Sequence, residues 1–229
     1  MRKWLDGEPV WSHERILKTW GIEFEMYRRA WSRRGLFTDR VMLGVESTVA
    51  MMHTRDKFIQ EFGFAIPCAE VFKALAKYPT VVEIGAGSGY MTRLMRHAGI
   101  RCVGSDSGDG GYAHKVGRYD DWQIVAQGKT MVRRHRDSAI FCSWPAYEGI
   151  WFRQALKAMQ VGQVMAVIRE DATAEETAWD YFDDCFDVVE RVDIPAFNYL
   201  NDFVDIRIKK RQRPRHGQRS EAISALADY

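Results

Sequence analysis

VVEIGAGSGY, residues 81–90, decides the fold. An apolar run ends in three glycines at alternate positions, Gly85, Gly87 and Gly89, and a helical pattern, YMTRLMRHAG, follows at once. Strand, glycine turn and helix in that order belong to open α/β sheets, where ligands bind at the carboxyl ends of the strands. A plain tight turn is the competing reading, and the neighbouring residues weigh against it. A dinucleotide fingerprint needs a small residue three after Gly87, but Tyr90 stands there, and its ring would crowd a pyrophosphate. No lysine follows the glycines, so a phosphate-cradling P-loop is also excluded. Glu83, near the strand's end, would repel a phosphate and suits a ligand that carries positive charge.

S-adenosylmethionine meets these conditions, having a sulfonium, an ammonium and no phosphate. Its ribose hydroxyls need a carboxylate from the end of the second strand. Asp106 supplies one 21 residues after Gly85, close to the ~20 typical of a ribose-binding acid in such folds. The stretch around it, GSDSGDGG, is rich in turn residues, so an acid there also fits a simple turn.

Outward from this turn the chain divides into three parts. Residues 1–78 read as an N-terminal helical extension or cap. Trp11, Ile16, Leu17, Trp20, Phe24 and Tyr27 recur at helical spacing, and Met42, Val45, Val49, Met52 and Phe58 make a second stripe. A third helix is expected to start at Pro67 and to carry Val71, Phe72 and Leu75. From 79 to 210 strands and helices alternate. TVVEI, RCVGSD, WQIVA, SAIFCS and VGQVMAVIRE read as strands. Helices are expected over 90–99, ending at Gly99, over about 149–159 and over 174–185. DVVERVDI and DFVDIRIKK follow as two strands without a crossover helix, hence antiparallel neighbours. Repeated βα units before them imply a parallel sheet with right-handed crossovers. Residues 211–229 form a basic tail, and the run KKRQRPRHGQR at 209–219 holds six Lys or Arg and no acid.

Composition adds mainly exclusions. A net charge of +2 over 229 residues names no partner, and 46% hydrophobic with 28% charged residues describes an ordinary globule. No apolar run approaches the ~20 residues of a membrane span. Asp6 and Glu8 stand where an export signal would be apolar, so a cytoplasmic location is expected. Cys68, Cys102, Cys142 and Cys185 show no paired spacing and the histidines no ligand spacing, which points to buried thiols and no metal site.

The glycine turn and the acid that follows it resemble motif I and the next acidic position of the class I S-adenosylmethionine-dependent methyltransferases, over about residues 62–210. The resemblance implies a Rossmann-like, mostly parallel seven-stranded sheet ordered 3-2-1-4-5-7-6, with strand 7 antiparallel. It implies that Glu83 helps hold the methionine end and that Asp106 takes the ribose. The turn of Gly85, Ala86, Gly87, Gly89 and Tyr90 would let the backbone approach the cofactor. FCSWPAY, 141–147, is similar to the (Asp/Asn/Ser)-Pro-Pro-(Tyr/Phe) motif of amino-directed methyltransferases, with Pro145 and Tyr147 matching, Ala146 replacing the second proline and Trp144 in the polar position. It is closer to a less-characterised methyltransferase-like group carrying Cys-Trp-Pro-Pro-Tyr. That group also has an aromatic-Ala-Ile-Pro segment, like FGFAIP at 62–67, and a glutamate ending strand five, like Glu170. Ile194 and Pro195 match its later Ile-Pro, whereas Asn201 stands before Asp202 in place of a histidine.

Methyl transfer is an in-line displacement that needs alignment and exclusion of water, and a general base only if the nucleophile stays protonated. Trp144, Pro145 and Tyr147 are therefore expected at the acceptor site, with Trp144 and Tyr147 as its walls. Glu170 is either a base that orients an amine or a solvated strand end. Phe64 and Pro67 either lie over the cofactor or form a hinge. The acceptor itself stays open. A small molecule under a helical cap is one reading. A nucleic-acid base is another, supported by RRHR at 133–136, paired arginines at 28–29 and 33–34, and the tail. Binding of S-adenosylmethionine without transfer, in a structural role, is a third.

Overall fold

The computed structural model describes residue 59 and residues 62–109, 116–120, 122–147, 150–170, 173–194, 200 and 202–211. The expected N-terminal helical stripes, Pro195, Asn201 and the tail beyond 211 lie outside the described residues.

Seven strands form one sheet: β1 (Val81–Ile84), β2 (Cys102–Asp106), β3 (Ile124–Val125), β4 (Ala139–Ser143), β5 (Val164–Arg169), β6 (Phe186–Asp193) and β7 (Phe203–Lys209). Their order is β3-β2-β1-β4-β5-β7-β6. The first five run parallel, and β7 is inserted antiparallel between β5 and β6. This is the Rossmann-like arrangement expected from the resemblance. Among the described residues, one helix precedes the sheet, α1 (Ala69–Leu75), and four lie between strands, α2 (Tyr90–His97), α3 (Gly128–Arg134), α4 (Trp151–Ala158) and α5 (Glu176–Cys185).

Side-chain alternation along the strands builds two cores. Val81, Phe141, Ala166 and Ile168 point to one face and pack with Val71, Phe72 and Leu75 of α1 and Leu94 and Met95 of α2. Val82, Ile140, Met165 and Val167 point to the other, against α3, α4 and α5 through Met131, Phe152 and Phe182. Strands covered on both faces read as continuous apolar runs, which is why β1, β4 and β5 were plain in the sequence. Glu83 falls by the same alternation on the α2 face, and there a polar group must find a partner.

Helix α2 ends as expected. Gly99, at φ +76, donates to the Arg96 carbonyl, and Ile100 donates to Met95, the paired bonds of a Schellman motif. Helix α1, by contrast, starts at Ala69 rather than Pro67, because Cys68 keeps an extended backbone as its N-cap. Ile66, Pro67 and Cys68 thereby all pack into the interior before the helix begins. Helix α5 starts at Glu176, two residues after the expected Ala174, which takes φ +50. Helix α3 had no counterpart among the expected elements. Among the described residues, no helix is long and apolar enough to cross a membrane.

Candidate functional site

The glycine turn opens at the carboxyl end of β1 with Gly85, Gly87 and Gly89 all at positive φ, +68, +53 and +78. Four of its amide hydrogens are committed internally. Ala86 N–H donates to the Ser105 carbonyl at 2.9 Å and Gly89 N–H to the Ala86 carbonyl at 2.9 Å. Gly87 N–H donates to the Asp106 carboxylate at 2.9 Å, and Tyr90 N–H points to Ser88 Oγ at 3.3 Å. Asp106 also accepts from Gly108 N–H at 2.9 Å, so its two oxygens tie the first and second turns together. A glycine-rich turn that grips phosphate aims such amides outward. This one does not.

A second loop braces the turn from outside. Gly117 N–H and the Gln123 side-chain amide donate to the Gly87 carbonyl at 2.9 and 3.2 Å, and Tyr119 N–H donates to Ser88 at 2.8 Å. Asp120, buried, pairs with Arg96 of α2. A Cβ on Gly89 would sit 2.6 Å from the Asp120 Cβ, so loop and turn approach too closely for any other residue. Gly89 itself does not line the cavity above and serves this contact.

That cavity, about 700 Å³, lies over the ends of β1, β2 and β4, within the size range of pockets for small molecules and cofactors. Glu83, Asp106 and Asp109 line one part of it and Lys129 another. Glu83 is 1% exposed and accepts a hydrogen bond from the Thr92 hydroxyl. Burial pushes its carboxyl up to about 8, against the Thr92 bond and reinforced by the negative charges of Asp120 and Asp106. Gly85, Ala86, Gly87 and Tyr90 line the same space, so the structure assembles the sequence-expected cofactor residues around one cavity, Gly89 and Pro67 excepted.

The residues expected at the acceptor side separate. Trp144 and Phe64 line the cavity and stack, with centroids 5.6 Å apart and planes 9° from parallel. Pro145 is buried outside the lining, and its carbonyl accepts from Ala174 N–H at 2.9 Å. Tyr147 is 64% exposed and stands outside the lining. The reason is local: the left-handed backbone of Trp144, φ +54, turns the chain as β4 ends, sending the indole inward and leaving Tyr147 on the surface. Glu170 also lies outside the lining, in a turn where its carbonyl accepts from the Thr173 hydroxyl at 2.6 Å. The strand-end alternative describes it better than the base. Pro67 is buried and stands outside the lining.

Among the lining residues the sequence reading had not singled out are Gln127 and Lys129 around the start of α3, and Trp151 at the start of α4. The Trp151 ring would lie 3.0 Å from a Cβ on Gly85, and Lys129 donates to the Gln154 side chain at 3.2 Å. Their shared signal is position, since each follows the carboxyl end of a parallel strand. Among the described residues no group of three or more His, Cys, Asp or Glu could hold a metal. All four cysteines are free and buried, and burial pushes the Cys102 thiol up to about 12.

No family model matches the sequence, and no curated protein matches it. Solved structures resemble it in outline. One is the N-methyltransferase NodS of Bradyrhizobium japonicum in complex with S-adenosylhomocysteine, with TM-score 0.45 and 14% identity, over 62% of this chain and 85% of that one. A second is an S-adenosylmethionine-dependent methyltransferase of Archaeoglobus fulgidus, with TM-score 0.43 and 10% identity, over 61% and 90%. A third is an rRNA methylase of Streptococcus thermophilus, with TM-score 0.40 and 15% identity, over 62% and 92%. Likenesses this distant carry no argument about the reaction. The strand order and the cavity define the class of molecule, a Rossmann-like α/β domain with a cavity at the carboxyl edge of the sheet.

Proposed function

We propose that the protein transfers a methyl group from S-adenosylmethionine to an acceptor. One observation carries the reading: the glycine turn spends the amides of Ala86, Gly87, Gly89 and Tyr90 on the protein and presents carboxylates, Glu83 and Asp106, to the cavity. Such a rim disfavours a pyrophosphate and favours a ligand with an ammonium and ribose hydroxyls. Glu83 would hold the ammonium end. Asp106, positioned by Gly87 and Gly108, would accept from the ribose. S-adenosylmethionine supplies an electrophilic methyl on a sulfonium. The chain supplies alignment and a dry aromatic surround from Phe64, Trp144 and Trp151, and no committed base is required for an unprotonated nucleophile.

A small acceptor is favoured by the size of the cavity, about 700 Å³. The exposed arginines of RRHR, Arg133, Arg134 and Arg136, sit at the far end of α3, next to the start of β4 and on the edge of the sheet away from the cavity. A nucleic acid held there would not extend naturally into the site.

Calorimetric titration with S-adenosylmethionine and, separately, NAD tests the reading. Binding of the first alone is expected, followed by S-adenosylhomocysteine release in an acceptor screen. Absence of S-adenosylmethionine binding overturns the proposal. Binding without release from any acceptor pool converts it to the non-catalytic reading.

A further inference from the structure

Trp144 holds a backbone conformation that bulky residues rarely adopt, φ +54, and such outliers persist only where the surroundings over-determine them. Three contacts do so here. Its backbone N–H donates to the Ile168 carbonyl of β5 at 3.0 Å, and the next carbonyl, Pro145, accepts from Ala174 at 2.9 Å. Its indole N–H donates to Asp202 at 2.9 Å, from the residue just before β7. Asp202 is only 4% exposed. A buried carboxylate is costly where an apolar residue would fill the space, so its presence calls for a reason beyond packing.

The indole so held lies almost parallel to Phe64, and both rings line the cavity. Ala146 and Ile150 add apolar surface on this side, away from the acidic rim of the glycine turn. Because the indole N–H is already donated, the wall offers ring faces and edges instead of a hydrogen bond. Recognition by such a surface depends on flatness and π contact, and a wall fixed in advance loses little freedom on binding.

Resting on the methyltransferase reading, we propose that Asp202 is a positioning residue that holds Trp144, stacked on Phe64, as a preset flat wall selecting planar aromatic acceptors. Asp202 acts through the indole and does not touch the acceptor. The proposal assigns an acceptor class to the cavity and a role to Asp202, which the sequence comparison had noted only as the residue after Asn201.

The test uses the full chain, with and without saturating S-adenosylhomocysteine, titrated calorimetrically with 2-naphthol and with decahydro-2-naphthol. The two probes are neutral and similar in size and differ in flatness. The planar probe is expected to bind about three- to tenfold more tightly. Asp202→Leu should erase that preference, leave S-adenosylhomocysteine affinity unchanged, and weaken the indole bands in near-ultraviolet circular dichroism. Asp202→Asn, whose amide oxygen still accepts from the indole, should restore both preference and bands. If the Leu variant does not fold, Trp144→Leu provides the same loss of preference. Equal binding of the two probes to the wild type, or a preference that survives in Asp202→Leu or Trp144→Leu, overturns the inference. Failure of S-adenosylhomocysteine to bind strikes the methyltransferase reading instead, and the titrations without it still report the wall.

Discussion

Glu83 is the residue whose chemistry depends most on its surroundings. Its carboxyl, near 4.5 in the open chain, is raised to about 8 in the fold, so the native state keeps a proton that the unfolded state has released. Between those values the folded state binds this proton more tightly, and Glu83's contribution to stability falls as pH rises. We expect chemical denaturation to show declining stability from about pH 5 to 8 and Glu83→Gln to flatten the decline. A cationic ligand reverses the preference by favouring the carboxylate. S-adenosylmethionine should therefore bind more tightly as pH rises toward 8 and release a proton, seen as a binding heat that varies with buffer ionisation enthalpy. Asp106 works differently, through geometry. Asp106→Ala removes two hydrogen bonds to the turns as well as the proposed ribose acceptor, and hydrogen bonds to charged groups contribute about 1.5–3 kcal/mol. A 10- to 100-fold loss of S-adenosylmethionine affinity by calorimetry is expected, and Gly87→Val should bring binding close to zero.

At the scale of elements, legibility followed local chemistry. Helix α2 was readable to its last residue because Met91, Leu94 and Met95 repeat on one face and Gly99 ends it. Helix α3 was not, because GKTMVRR begins with a glycine, has no side-chain cap and buries only two adjacent residues, Met131 and Val132. Tertiary packing against α4, not local preference, holds it. β7 shows another limit. DFVDIRIKK alternates apolar and charged residues, yet Asp205 is fully buried. There it accepts from Arg207 at 2.9–3.1 Å, with Arg169 and Arg191 at 3.5 and 3.7 Å. One carboxylate thus faces three guanidiniums, with Asp183 compensating Arg207 at 2.6 Å. Removing a single member of a buried ionic group leaves the others uncompensated, at a cost of about 3–5 kcal/mol. Asp205→Ala should lower unfolding free energy by that amount in urea titrations. A loss below about 1 kcal/mol would mean that the arginines repack into water.

At the scale of the described fold, two charge clusters lie at opposite ends of the strands. Acids gather at the carboxyl edge, where Glu83, Asp106 and Asp109 line the cavity, while Arg133, Arg134 and Arg136 gather at the opposite edge. The sequence displayed both clusters and the sheet that separates them, but only a parallel sheet in three dimensions puts them at opposite ends. The cofactor half of the site was legible because glycines and strand-end acids have local signatures. The acceptor half was not, since the inward turn of Trp144, the outward turn of Tyr147 and the arrival of Trp151 depend on contacts between distant strands. This sorting gives the arginines a clear test. With charge separated from the site by the length of α3, about 10 Å at 1.5 Å per residue, and screened over about 8 Å at physiological salt, replacing all three arginines by glutamine should change S-adenosylmethionine affinity less than twofold. If the acceptor is a small molecule, turnover should also stay within twofold and show no steep salt dependence. If the acceptor is a nucleic acid held along that edge, the triple variant should lose acceptor affinity, and the slope of log affinity against log salt should fall by about 0.9 for each phosphate contact removed from a duplex. Parallel salt titrations of wild type and variant with duplex and single-stranded probes separate the two cases.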